Sequence, residues 1–437
     1  MIRFTRSVLH TFARLVFGDV KHDTHRELGA YQLWTRAAES CGVENLRGKR
    51  PSFLLAPRLE GARPPLTVSI WPMGSAGSSS ARIVVRGVAR EMELRHESLR
   101  TKASQLVGGL EMTLGDPSFD GRFFVKGDPL VVRACFDAQA RALALELFGP
   151  GPTVTAEFLG GDHPDVGVAE GAVQALFVER RYPDPPLTPG EQLGKALAFG
   201  EHLVLDAPEE RLAQVARTDP LTEVRLGALE TLQERRPEHA ATREALEAGR
   251  LDVDPRVRVA AAAGLGVAKG GRETLLDLAS DADVPDDVSA LAVTELRSHL
   301  PADGARSILA AALRARRLAT AAACVDRLGR SGEDAERIAT VLAREEGELA
   351  TMAARALGRC GTADHVSMLR EVESRHPRTG PLAVACRGAI ASIQMRQPGA
   401  SQGRLSLAED RTGRVSVPSA AGGEMSLVRS ETGEPEA

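Results

Sequence analysis

Hydrophobic and small residues recur at helical spacing through the second half of the chain, in one pattern that returns six times. Each copy has an anchor residue, a small residue four positions later and an aliphatic residue four positions after that. Positions spaced in this way share one face of a helix, and a small middle residue lets a neighbouring helix approach closely. The copies are Val224, Ala228 and Leu232; Val257, Ala261 and Leu265; Val288, Ala292 and Leu296; Thr320, Cys324 and Leu328; Leu349, Ala353 and Leu357; and Leu382, Cys386 and Ile390.

Successive anchors lie 33, 31, 32, 29 and 33 residues apart, and a period of this length predicts one helix pair per repeat. Partner helices are therefore expected between the copies. Aspartates at Asp219 and Asp254, each before a proline, predict helix starts, and Gly266, Gly329 and Gly358 predict helix ends. The expected partner helices cover residues 212–218, 273–279, 307–314, 335–344 and 366–373.

The first part of the chain has a different pattern, with short extended segments between turn residues. Strands are predicted at 66–71, 81–88, 122–126 and 154–158, helices at 31–41 and 131–147, and 171–180 suits either a helix or a strand. Every aromatic residue lies at or before Phe199, so the two parts have different kinds of core. This part is predicted to be an α+β domain.

The chain therefore divides into five predicted segments. An amphipathic helix covers 1–20, the α+β domain covers 21–182, and a proline-rich linker with a helix leading into the repeats covers 183–204. The linker cannot continue a helix or supply an interior strand. An all-α solenoid of about six helix pairs covers 205–396, and a tail predicted to be disordered covers 397–437.

Both chain ends carry patterns with more than one interpretation. The N-terminal helix places Arg3, Arg6 and Arg14 opposite its apolar face, and it either docks on its own domain or lies in a membrane interface. The tail repeats glycine, a charged residue, an apolar residue, serine and an apolar residue every ten positions. These copies suit either β-strand addition to a sheet edge or simple duplication. Their apolar residues, candidates for partner binding, are Leu405, Leu407, Val415, Val417, Met425 and Leu427.

Two segments before repeat helices resemble the HEAT-repeat family, in particular its short bacterial, phycobilisome-lyase-like variety. They are Asp219-Pro220-Leu221-Thr222-Glu223-Val224-Arg225 and Asp254-Pro255-Arg256-Val257-Arg258. Ala-Leu-Gly at 356–358 resembles the motif with which a repeat of this family ends. The resemblance covers about residues 208–395 and implies an α-solenoid. The Val-Arg pairs at 224–225 and 257–258 are missing from the later copies, which argues against a continuous arginine ladder along the solenoid. Arg225 and Arg258 are candidate partner-binding residues. The segment 115–120 resembles an uncharacterised domain of some bacterial proteins, and no chemistry attaches to it.

Candidate catalytic chemistry is sparse. The chain has no signature of a serine-hydrolase elbow, a zinc protease or a dinucleotide fold. The segment 190–196 is one residue short of a phosphate loop and predicts a helix start instead. Asp162, His163 and Asp165 favour a turn over a metal site. No catalytic residue, metal or cofactor is therefore predicted, and buried packing accounts for Cys324 and Cys386.

Composition narrows the class of partner. The 55 basic and 59 acidic residues give a formal net charge of −4, which creates no overall field favouring nucleic acid or an anionic membrane. The repeat region has no aromatic platform for single-stranded nucleic acid. No apolar run approaches the roughly 20 residues that span a bilayer. Five cysteines without a C-x-x-C pair indicate a reducing compartment and a cytoplasmic location.

The predicted function is a non-enzymatic scaffold that binds protein partners along the solenoid surface. Two alternatives stay open. The resemblance to lyase-type HEAT proteins implies a chaperone-like lyase or another accessory enzyme of protein modification, and the arginine content leaves a nucleic-acid-binding solenoid.

Overall fold

The computed structural model of the chain describes residues 24–49, 58–72, 81–88, 92–96, 112–148, 172–177, 187–266, 270–296 and 299–396. Two compact units make up the chain, residues 1–264 and 265–437. The helix predicted at 1–20, the strand predicted at 154–158 and the tail predicted at 397–437 lie outside the described residues.

The first unit contains antiparallel β-structure. Five strands form one sheet in the order β1-β2-β3-β4-β7, and β5 pairs with β6. Apolar residues at alternate positions, such as Val68 opposite Val85 and Ile70 opposite Ile83, are buried and direct one face of the sheet into the core. The strands are β1 (Glu44–Lys49), β2 (Arg58–Arg63), β3 (Leu66–Pro72), β4 (Ala81–Arg86), β5 (Met92–His96), β6 (Phe123–Gly127) and β7 (Ala172–Phe177).

The described strands confirm three of the predicted extended segments, and the open choice at 171–180 resolves to strand β7. Helices of the first unit lie before, within and after the sheet. They are α1 (Thr24–Ser40), α2 (Pro117–Asp120), α3 (Pro129–Cys135), α4 (Ala138–Phe148), α5 (Pro189–His202), α6 (Pro208–Thr218), α7 (Thr222–Arg235), α8 (Ala240–Gly249) and α9 (Pro255–Leu265), of which the last residue is the first of the second unit.

The single helix predicted over 131–147 is in fact two helices, α3 and α4. Phe136 leaves the helical conformation with φ −97° and ψ 59°. Asp137 then accepts a hydrogen bond from the backbone N–H of Ala140 at 2.8 Å, which starts a new helix. Apolar periodicity runs across the break because Phe136 is itself buried in the core, so the pattern alone predicts one continuous helix.

Helix α5 belongs to the core of the α+β region. Leu193, Leu197 and Phe199 are fully buried in the same apolar cluster as Trp34 and Ile83. The proline-rich stretch before α5 therefore separates two elements of one core. The first compact unit also includes helices α6 to α8, beyond the boundary expected near residue 182.

The second unit is helical in its described residues. Each odd-numbered helix packs against the preceding even-numbered one, and α11, α13, α15 and α17 pack successively on one another. The helices are α10 (Gly271–Ser280), α11 (Asp286–Leu296), α12 (Ala302–Arg314), α13 (Leu318–Leu328), α14 (Ala335–Arg344), α15 (Gly347–Cys360), α16 (His365–Ser374) and α17 (Pro381–Met395). Every partner helix predicted for this unit is present.

The predicted terminal glycines have different roles. Gly266 follows α9 with φ +70°, so the predicted helix end is confirmed there. Gly358 lies inside α15, and a Cβ placed on it would be 3.0 Å from the Cα of Ala389 in α17. The prediction that Gly358 ends a helix is wrong, because the missing side chain serves the close approach of two helices.

Candidate functional site

The residues predicted to form the repeat core are all buried. Their side chains lie on the faces of α7, α9, α11, α13, α15 and α17 that pack against other helices. These residues are Val224, Ala228, Leu232, Val257, Ala261, Leu265, Val288, Ala292, Leu296, Cys324, Leu328, Ala353, Leu357, Cys386 and Ile390.

A buried ion-pair cluster joins the α+β region to the segment between α6 and α7. Arg141 on α4 donates two hydrogen bonds to the Asp219 carboxylate, at 2.9 and 3.1 Å, and one to Asp116 at 2.8 Å. The side chains of Arg141 and Asp219 are 2% and 1% exposed. Burial disfavours the guanidinium charge, but the bonds to Asp219 and Asp116 outweigh it and raise the pKa of Arg141.

Asp219 does not cap α7. Its carboxylate accepts from the backbone N–H of Leu221 at 3.0 Å, and α7 begins after Leu221 without a side-chain cap. Asp254 lies directly before α9 and accepts from the backbone N–H of Arg256 at 2.9 Å. The predicted helix start is therefore confirmed at Asp254, and the predicted cap at Asp219 is wrong.

Arg225 continues this polar row into the loop between α8 and α9. Its guanidinium holds Asp252 through two hydrogen bonds of 2.8 Å and donates to the carbonyl oxygen of Asp219 at 2.9 Å. The Arg225 side chain is 8% exposed. A partner protein therefore has little access to Arg225, and we do not retain it as a partner-binding residue. Arg258 is half-buried.

The same loop presents two large apolar side chains to solvent. Leu251 is 85% exposed and Val253 is 94% exposed, while Asp252 between them points inward to Arg225. The loop backbone is fixed by bonds from Leu251 N to Ala248 O at 3.0 Å and from Asp252 N to Gly249 O at 3.1 Å. These contacts fix the backbone that carries the two apolar side chains, and both residues line a cavity of about 350 Å³.

Sequence reasoning missed Leu251, Asp252 and Val253. The run Leu-Asp-Val-Asp before Pro255 alternates apolar and acidic residues outside any helix or strand, which is the signal that marks the loop. Assigning the aspartates to helix capping alone left the two apolar residues without an explanation.

In the second unit, other residues link neighbouring helix pairs. Asp286 at the start of α11 accepts hydrogen bonds from the backbone N–H groups of Ala319 and Thr320, at 2.9 and 3.0 Å, and so caps α13. Arg317 donates to the carbonyl oxygens of Asp281 and Val284, at 2.8 and 3.0 Å. The helix pair α10 and α11 is thus connected to the pair α12 and α13 by a helix cap and by carbonyl contacts.

One cluster in the first unit contains the side-chain types of a thiol hydrolase. The imidazole of His202 lies 3.2 Å from the Asp137 carboxylate, and Arg211 lies 3.5 Å from the same carboxylate. Cys135 is nearby in sequence but fully buried, and burial raises the pKa of its thiol to about 12. A thiol that stays protonated and out of solvent is a packing residue, so this cluster does not form a nucleophile.

The remaining chemical candidates follow the sequence analysis where they can be placed. The segment 190–196 lies in the first turns of α5, which begins with a capping box between Thr188 and Glu191, so the predicted helix start is confirmed. No group of three metal-ligating side chains occurs in the described parts of the chain. Asp162, His163 and Asp165 lie outside those parts, as do the tail residues Leu405, Leu407, Val415, Val417, Met425 and Leu427.

No helix within the described ranges is long and apolar enough to cross a bilayer. Comparison with protein-family models, with curated proteins and with solved structures gave no match.

Proposed function

We propose that the protein is a non-enzymatic, cytoplasmic scaffold, a HEAT-like solenoid that binds a protein partner. The exposed pair Leu251 and Val253 carries this proposal. Isolated exposed apolar residues are common, but two almost fully exposed ones held on a fixed loop beside a cavity are typical of a binding surface. The partner presents an apolar cleft that receives both side chains.

The solenoid part of the proposal rests on the period of the buried faces and on the successive packing of α11, α13, α15 and α17. Such stacking produces extended surfaces that bind other proteins. Five free cysteines accord with a reducing compartment. Among the described residues no observation favours the lyase alternative or the nucleic-acid alternative over the scaffold.

The test is quantitative affinity capture from the cells that make the protein, with the full chain as bait. The double variant Leu251→Ser/Val253→Ser is expected to lose at least one partner that the unaltered chain retains, because truncating central apolar contacts costs about 2 kcal/mol or more of binding free energy. Leu291→Ser is the matched control, since Leu291 is also exposed, at 45%, but lies in the second unit.

Identical capture by the unaltered chain and the double variant would remove the loop from the proposal. Capture that disappears in high salt and returns with added nucleic acid would favour the nucleic-acid alternative.

A further inference from the structure

A groove in the second unit lies where the first turns of α15 and α17 come together. Its cavity of about 620 Å³ is lined by apolar residues that include Met352, Pro377 and Leu382, with Arg355 and His376 among its polar residues. The space around Gly347, which also lines the groove, is open, because a Cβ placed there would have no atom within 4 Å. The groove is therefore an apolar depression whose lining includes the positive charge of Arg355 and the negative charge of Glu348.

Arg355 differs from the neighbouring arginines in its partners. Arg359 is paired with Asp326 at 2.7 Å, and Arg387 is paired with Glu373 at 3.0 Å. Arg355 donates a hydrogen bond to the sulfur of Met352, at 4.0 Å, and within the described residues no carboxylate lies at ion-pair distance from it. Arg355 is thus able to receive a carboxylate from a segment entering the groove.

The apolar character of the groove continues along the exposed face of α17. The residues on this face are spaced by three and four positions, as one side of a helix requires. Val384 is 50% exposed and Met395 is 67% exposed, so large apolar side chains stand at both ends of the helix. The exposed face consists of Pro381, Val384, Gly388, Ala391 and Met395.

This exposed face leads to the point where the chain continues beyond α17. Arg396 donates to the carbonyl oxygens of Gly358 and Gly361, the latter at 2.9 Å, which fixes Arg396, the residue before the tail, at the carboxyl end of α15. Any segment of the tail that covers α17 must then run back along the helix toward the groove.

We propose that the groove binds residues 423–427 of the same chain, Gly-Glu-Met-Ser-Leu, with the Glu424 carboxylate at Arg355. The apolar side chains of Met425 and Leu427 match the apolar part of the groove in chemistry. This docking concerns the second unit and does not depend on the proposed partner loop at Leu251 and Val253.

Charge selects the third tail copy over the other two. The charged position of the motif is Arg404 in the first copy, Arg414 in the second and Glu424 in the third. Only Glu424 is attracted to Arg355. Glu348 also lines the groove, but it is seven residues before Arg355 on α15, a rise of about 10 Å, so it leaves room for a second carboxylate at Arg355.

Chain length permits the docking. Glu424 follows Arg396 by 28 residues, which reach up to about 90 Å when extended. Helix α17 has 15 residues and spans about 22 Å. A tethered segment has an effective concentration on the order of millimolar, so a weak groove is sufficient for occupancy.

The experiment is hydrogen exchange of the full chain, followed at the backbone amides of residues 424–427. We expect exchange about tenfold slower in the unaltered chain than in Arg355→Glu. The double reversal Arg355→Glu/Glu424→Arg is expected to restore the slow exchange. Arg370→Glu is the control, because Arg370 is exposed on α16 and outside the groove.

Exchange in the unaltered chain as fast as in a free peptide of the same sequence would overturn the proposal. Slow exchange in the chain that persists in both Arg355→Glu and Val384→Asp would also overturn it. Protection that increases with protein concentration would assign the segment to the groove of a second copy and would refute docking within one chain.

Discussion

Arg141 holds a positive charge where its side chain is only 2% exposed, and two carboxylates make this arrangement stable. A buried ion pair contributes little net stability compared with a packed apolar pair, but removing one partner leaves an uncompensated buried charge. The connection between the α+β region and α7 therefore depends on all members of the cluster.

Asp219→Asn is expected to lower the free energy of unfolding of the first unit by about 3 to 5 kcal/mol, because Arg141 loses its main counter-charge. Both tryptophans belong to the first unit, so denaturant unfolding followed by tryptophan fluorescence measures it. Arg256→Ala is the control: its pairs are exposed, at 43% for Arg256, and a change of at most about 1 kcal/mol is expected. Equal effects of the two substitutions would contradict the structural role of the cluster.

Asp137 makes the stability of the first unit depend on pH. Burial opposes its ionisation, but hydrogen bonds from His202 and Ala140 and the charges of His202 and Arg211 lower the pKa of Asp137 overall. A lowered folded-state pKa contributes stability that is present above the unfolded value of about 3.9 and is lost as the pH falls through the folded value. We expect Asp137→Asn to flatten the dependence of unfolding free energy on pH below about pH 4. An unchanged slope in denaturation curves measured across that range would contradict this assignment.

The buried cysteines should be unreactive in the folded chain. Burial raises the pKa of Cys135 and Cys324 to about 12 and that of Cys386 to about 11. At pH 8 a thiol of pKa 12 is about one part in ten thousand thiolate. Alkylation followed by peptide mass spectrometry is expected to modify the half-exposed Cys41 first and these three only after denaturation. Rapid modification of Cys135 under native conditions would reopen the enzymatic alternative.

Among the elements, the helices of the second unit come close together where small residues meet. Gly329 stands against Ala356, and a Cβ on Gly329 would be 2.6 Å from the Cβ of Ala356. Gly388 on α17 has open space instead, with no atom within 4 Å of a Cβ placed on it. Substitution by alanine is therefore expected to change the stability of the second unit in opposite directions at the two glycines.

Gly329→Ala is expected to destabilise the second unit by about 1 to 3 kcal/mol, because α15 must move to accept the methyl group. Gly388→Ala is expected to stabilise it by up to about 1 kcal/mol through helix propensity. Thermal unfolding followed by circular dichroism distinguishes the expected loss of stability from the expected gain. A destabilising Gly388→Ala would show that the exposed face of α17 is already covered at that position.

Across the whole molecule, the sequence predicts features that depend on local spacing and fails where distant residues determine the structure. The buried faces of the repeats are predicted because a residue such as Ala353 and its neighbours four positions away share a helix face, and that relation is local. The unit boundary is not predicted, because the bond from Arg141 to Asp219 joins residues 78 positions apart. The exposed loop at Leu251 was missed because its conformation depends on Arg225, which belongs to another helix pair.

The caps between helix pairs also constrain how the second unit tolerates gain or loss of a helix pair. Asp286 caps α13 from the preceding pair, and Arg396 completes the end of α15 from the following pair. Excising one internal pair would leave a bare amino end on one side and bare carbonyls on the other. A duplication or deletion preserves these caps only when it spans one full period and its junctions keep an aspartate equivalent to Asp286 facing the next helix. Helix pairs of the second unit are therefore expected to be gained or lost in evolution as whole, phase-matched units.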